Sequence, residues 1–199
     1  MRSHKSNEKG GLMFKYMVPF LVIGISSAGP LLTNGDFEQT LDTAWTQTAY
    51  YPTYLDTIDR ATGFHPDLDY EARVKKYDYA YARLSQTVDI WTTDLEFSVD
   101  AKLYAYEYTS TASYWATASI VLAYRNVNGG LLGQTRICYN TPHCPYTNSS
   151  TFHMRLAPDP NNWYTYSFNI NDELDSLPGV NPADVAKIEV ALYDTTNGC

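Results

Sequence analysis

Apolar side chains recur at every second position through five segments of this chain, and no segment sustains a long helical period. Over 94–108, Leu95, Phe97, Val99, Ala101, Leu103 and Ala105 share one phase; over 114–126, Tyr114, Ala116, Ala118, Ile120, Leu122 and Tyr124 do. The same spacing groups Ala82, Leu84, Val88 and Ile90 in 79–90, Tyr164, Tyr166, Phe168 and Ile170 in 163–171, and Ile188, Val190 and Leu192 in 187–194. A period of two is the strand repeat, and a one-sided pattern buries one sheet face and wets the other. Gln86 falls in the buried phase of its segment, where an amide needs hydrogen-bond partners.

Six further segments read as strands: 31–38, 44–50, 53–59, 71–76, 131–140 and 151–157. The 18 tyrosines, with frequent Thr, Val and Ile, suit pleated surfaces. Asn128-Gly129-Gly130 and 158–162 supply turn residues, and 172–177 and 182–186 read as single helical turns, the second opened by Pro182. This count and spacing predict an all-β, two-sheet sandwich in one domain over 29–199.

The N-terminus reads as a secretion signal. Arg2, Lys5, Lys9 and Lys15 form a basic leader, 17–25 (MVPFLVIGI) an apolar stretch, and Ser26-Ser27-Ala28 a small-residue cleavage site. Met13 is a second candidate start. Nine apolar residues fall short of the roughly 20 that span a bilayer; the competing reading is a short uncleaved anchor. Cleavage after Ala28 predicts a secreted or cell-surface protein. It removes four of the 14 basic residues and one of the 22 acidic ones, leaving 10 against 21 and a net charge of −11. Nucleic acid, which demands a cationic surface, is thereby disfavoured as a partner. In an oxidising compartment Cys138 and Cys144 are placed to close a small loop disulfide, the alternative being a metal pair with His143 or His153. Cys199 is left over.

The wetted phases carry chemistry. Glu96, Ser98, Asp100, Lys102, Tyr104, Tyr106 and Tyr108 alternate with the apolar set of 94–108, and Trp115, Thr117, Ser119 and Val121 with that of 114–126. The short connection 109–113 predicts a hairpin that would set Trp115 beside Tyr106 or Tyr108. Tyr79, Tyr81 and Arg83 point outward on the preceding strand. Tyr104, Tyr106, Tyr108 and Trp115 are therefore candidates for a sugar platform, since rigid amphipathic rings stack on the C–H faces of sugars while neighbouring polar groups meet the hydroxyls. Outward tyrosines also simply stabilise exposed sheets.

The opening run Leu31-Leu-Thr-Asn-Gly-Asp-Phe-Glu38, with Trp45 beyond it, resembles the start of the jelly-roll carbohydrate-binding modules of families four, nine and twenty-two. Tyr81-Ala-Arg-Leu-Ser-Gln-Thr-Val88, Leu95-Glu-Phe-Ser-Val-Asp-Ala-Lys102 and Trp163-Tyr-Thr-Tyr-Ser-Phe168 are similar to later strands of these modules, in the same order. The resemblance implies an antiparallel jelly roll that binds polysaccharide without catalysis, free or as an accessory module of a glycoside hydrolase. It also implies a structural calcium between the opening acidic segment, here Asp36 and Glu38, and an Asp on a closing strand. That strand has no counterpart after 187–193, so the domain is expected to be cut short or to close differently.

An enzyme is disfavoured. The chain has no Gly-x-Ser-x-Gly elbow, no His-Glu-x-x-His pair and no phosphate-cradling loop. A structural or adhesive cell-surface sandwich is the alternative to a polysaccharide-binding module, and the exposure of Tyr104, Tyr106 and Trp115 discriminates between the two.

Overall fold

The computed structural model describes residues 31–63, 69–107, 114–160 and 162–198. The expected leader, Tyr108, the 109–113 connection and Cys199 lie outside them. Ten strands follow in chain order: β1 (Thr46–Tyr50), β2 (Thr57–Thr62), β3 (Tyr70–Lys75), β4 (Tyr79–Asp89), β5 (Glu96–Lys102), β6 (Ala116–Arg125), β7 (Leu131–Asn140), β8 (Phe152–Leu156), β9 (Trp163–Asn169) and β10 (Lys187–Asn197). One short helix, α1 (Ile170–Leu174), and two 3-10 turns complete the described elements. The fold is all-β, and no helix among the described residues is long and apolar enough to cross a membrane.

The strands form a six-stranded sheet in the order β1-β4-β10-β6-β7-β8, and two pairs, β2-β3 and β5-β9. One apolar cluster joins all three sheets. Leu84, Leu122, Ile188 and Val190 of the large sheet share it with Phe97 and Ala101 of β5, while Ile58 and Val74 of the β2-β3 hairpin pack against it. The period-two reading of β4, β5 and β10 holds: Leu84, Phe97 and Ile188 are fully buried.

Four expectations need correction. First, β5 and β6 are not a hairpin: β5 pairs with β9, whereas β6 lies between β10 and β7. Long-range pairing that buries both β6 neighbours overrides the proximity of the two strands in sequence. Second, β6 is buried on both faces, with Thr117, Ser119, Val121 and Ala123 covered as fully as Ile120 and Leu122, because β6 is an interior strand with side chains laid over its second face. Third, β7 and β8 run parallel, from Gln134↔Phe152 to Cys138↔Leu156, so the large sheet is mixed; the 141–150 connection returns the chain before β8 begins. Fourth, 31–38 is not a strand. Asn34 (φ 51°) and Phe37 (φ 57°) adopt left-handed backbone, a conformation that Asn tolerates better than most residues.

That opening segment is fixed by side chains instead. Gln86 Nε2 donates to the Thr33 carbonyl, and Gln86 Oε1 accepts from the Thr33 amide, each at 2.8 Å. The buried amide in the core phase of β4 thus has both partners. Trp45 Nε1 donates to the Asn34 carbonyl at 2.9 Å, and Asn34 Oδ1 accepts from the Gln39 amide at 2.8 Å. The turn between β6 and β7 forms where Asn-Gly-Gly predicts it. Asn126 Oδ1 accepts from the amides of Asn128 and Gly130, and Gly129 has a φ of 82°.

Candidate functional site

In β4, the side chains out of phase with Leu84 include Tyr79, Tyr81 and Arg83; in β10, those out of phase with Val190 include Glu189, Ala191 and Tyr193. They therefore share the face of the large sheet turned away from the common core. Tyr50 of β1 pairs with Tyr81 of β4 on the same side. The result is an aromatic strip running across the strands. Centroids lie 4.4 Å apart for Tyr51–Tyr50, 6.0 Å for Tyr50–Tyr81 and 5.6 Å for Tyr81–Tyr193, and Tyr79 joins Tyr51 at 5.8 Å. Tyr50, Tyr51 and Tyr79 are each more than half exposed.

Arg136 of β7 carries the strip onward. Its guanidinium carbon lies 5.0 Å from the Tyr193 ring, 4.8 Å from Tyr146 and 5.2 Å from Phe152, the geometry of cation–π contact. Tyr146 meets Trp115 edge-on at 5.4 Å. Beneath these rings, Val121, Ala123 and Ala191 form a second small apolar cluster against Tyr193, which explains the double burial of β6. Glu189 is clamped between Arg83 and Arg125, the latter donating through Nε at 2.9 Å. Arg83, Arg125 and Arg136 outnumber the Glu189 carboxylate, and Lys187 and Asp89 pair with each other on the same face, so this face is locally cationic on an acidic chain. Burial first of all raises the Tyr193 hydroxyl pKa, so that hydroxyl stays a neutral donor near neutral pH.

The proposed platform residues are divided. Trp115 belongs to the aromatic strip but is half-buried under Tyr146 of the 141–150 connection. Tyr104 and Tyr106 follow β5 and are exposed, at 55% and 61%; Tyr104 also lines a cavity between the sheets. Tyr108 lies outside the described residues. Sequence reasoning placed Tyr79 and Tyr81 outward but missed Tyr50, Tyr51, Tyr146, Phe152, Tyr193 and Arg136. Tyr193 was legible, being out of phase with Ile188, Val190 and Leu192. The others depend on which strands become neighbours.

Asp36 Oδ1 accepts from the Glu38 amide at 3.4 Å, and Glu38 Oε1 accepts from the Tyr70 amide at 3.3 Å. Two such carboxylates fall short of the six to eight oxygens calcium takes. Among the described residues no group of three His, Cys, Asp or Glu is gathered to hold a metal. The expected disulfide is not formed: Cys138 and Cys144 are free thiols, Cys138 buried and Cys144 half-buried. Burial raises both, Cys138 to about 11 with the nearby Cys144 adding to the effect, so neither is a ready thiolate. His143 is instead held by Glu107, Nδ1 to Oε1 at 3.2 Å.

No protein-family model and no curated protein matches this chain.

Proposed function

We propose that this protein is a secreted, non-catalytic polysaccharide-binding domain that uses the outer aromatic strip of its six-stranded sheet. The observation that carries the reading is the unbroken run Tyr51–Tyr50–Tyr81–Tyr193 on a face the core does not use. Exposed, contiguous aromatic surface on a monomer marks an interaction site. Stacking surface flanked by Arg83, Arg136 and Thr48 offers both halves of sugar recognition, ring contact and hydrogen bonding. The guanidinium groups suit neutral or weakly anionic chains.

The test is affinity electrophoresis in gels cast with neutral and uronate-containing polysaccharides. Tyr50→Ala with Tyr81→Ala should abolish retardation, because a few anchors carry most of the binding energy. Tyr106→Ala, away from the strip, should leave it intact. Retention unchanged in the double variant while Tyr106→Ala loses it would return the site to the β5 extension. No retardation with any polysaccharide would favour a structural role, with the rings serving as cover over Val121, Ala123 and Ala191.

A further inference from the structure

A cavity of about 490 Å³ opens between the sheets, on the opposite side of the large sheet from the aromatic strip. It arises from small side chains. Ala118 of β6, Ala72 of β3 and Ala101 of β5 line it where larger residues would close the gap between layers. Val99, Leu103, Ile120 and Leu192 form apolar walls, with Trp45 among them, and Tyr104 and Trp163 stand on its lining as well. Ligand sites are typically cavities of about 300–1,000 Å³ with apolar walls and a few convergent polar groups.

The lining carries the cations Arg73, Lys75 and Lys102 and the carboxylates Asp36, Glu71, Asp100 and Asp194, and of these Asp194 is the one set by the core phase of β10. It occupies the core-facing phase of β10, two residues past Leu192, and pairs across the sheet with Ala82 and Ala118. A carboxylate in that phase is costly without partners. One oxygen, Oδ2, accepts from the Lys76 amide at 2.8 Å. No protein donor among the described residues meets Oδ1, and Asp194 borders the cavity. The Lys76 ammonium is committed elsewhere: Nζ donates to Asp56 Oδ2 and to the Tyr51 carbonyl, each at 2.7 Å. Lys75 sits over the Tyr77 ring at 4.4 Å, and Arg73 is paired with Asp59. Burial, reinforced by the Asp56 charge, accordingly raises the Asp194 carboxyl to about 7 despite the Lys76 amide and the charges of Lys76 and Lys75.

We propose that this cavity binds a small amphipathic cation, a primary amine on an apolar body of aromatic size, with the amine donating to Asp194. The apolar body replaces empty space against Val99, Leu103, Ile120 and Leu192, and the ammonium supplies the counter-charge Asp194 lacks. The net negative charge of the chain favours the approach of cations.

The test is calorimetric titration of the full chain, in mildly alkaline buffer, with three probes of one shape: 2-phenylethylamine, 2-phenylethanol and 3-phenylpropionate. The amine should bind saturably, the alcohol more weakly and the acid not at all. Asp194→Asn should weaken the amine by at least about tenfold, the loss for one buried charge-assisted hydrogen bond, and leave the alcohol unchanged. Ala118→Leu should remove both by filling the cavity; Ala72→Leu, at a half-buried position, does the same should Ala118→Leu not fold. The inference is overturned by absence of saturable amine binding, by equal affinity for amine and alcohol, by binding of the acid, or by amine affinity that survives Asp194→Asn. Polysaccharide retention by the outer face should be unaffected by these cavity variants, so the two sites fail independently.

Discussion

Two glycines show how differently one residue type is used. Gly133 of β7 is paired with Tyr124, and a Cβ there would lie 2.5 Å from Val180 Cγ2 and 2.9 Å from the Thr151 carbonyl oxygen. The Val180 side chain after α1 and the backbone on the approach to β8 both press on it. Gly133→Ala should therefore cost about 1–3 kcal/mol through overpacking, seen as a lower urea midpoint with unchanged slope; a wild-type midpoint would contradict the close approach. Gly129 has open space around its missing Cβ and serves only through its φ of 82°. Gln86 shows the residue scale from the other side. Its placement in a buried phase was legible, but its partner, the Thr33 backbone 53 positions earlier, was not, since hydrogen-bond pairing across that distance leaves no local pattern.

At the scale of elements, the short helix α1 is held by one carboxylate. Glu173 is buried, and its Oε1 accepts from Thr135 Oγ1 at 3.0 Å and meets His153 Nδ1 at 2.5 Å. Arg155 donates to Oε2 at 2.5 Å, and Tyr124 hydroxyl lies 3.0 Å from the Thr135 hydroxyl. Residues of β6, β7, β8 and α1 thus converge on a single acid. Removing one partner of such a network leaves the others unpaired, which is worse than losing an isolated pair. Glu173→Ala should destabilise by about 3 kcal/mol, and Glu173→Gln by less because it keeps acceptor and shape. Native-state hydrogen exchange should show β8, the sheet edge, losing protection first; uniform loss across the sheet would mean the acid does not specifically clamp this corner. Element positions were largely legible, because ten of the expected strand segments reappear as β1–β10. The order of strands was not, and that order moves Trp115 from Tyr106 to Tyr146.

For the whole molecule, Asp194, half-buried in the core phase of β10, sets a pH dependence. Its folded pKa, about 7, lies above the ordinary 3.8, so the folded state binds the proton more tightly than the unfolded one. This contribution is fully present below the unfolded pKa and is lost as pH rises from about 4 through 7. Asp56 works oppositely. Burial raises its pKa, but hydrogen bonds from Lys76, Tyr77 and Thr53 outweigh that and hold it below its ordinary value, so its contribution fades as the medium turns strongly acidic. Asp194→Asn keeps an acceptor for the Lys76 amide and removes the ionisation penalty. It should stabilise the protein by on the order of 2 kcal/mol in mildly alkaline buffer and by little near the unfolded carboxylate pKa. Urea unfolding across that range reads the difference; an equal gain at both ends would show that Asp194 does not titrate between them.

The sequence alone determined the all-β class, the strand segments, the Asn-Gly-Gly turn and the core phase of β4, β5 and β10. Each is a local consequence of side-chain alternation and turn chemistry. Tertiary structure decided the rest. Pairing of β10 between β4 and β6 brought Tyr50, Tyr81 and Tyr193 into one strip, covered the second face of β6 and set Asp194 against the cavity between the sheets. The energy of a sheet depends on which side chains meet across strands. That meeting joins residues far apart in the chain, such as Tyr81 and Tyr193, and so leaves no trace in the period of either strand.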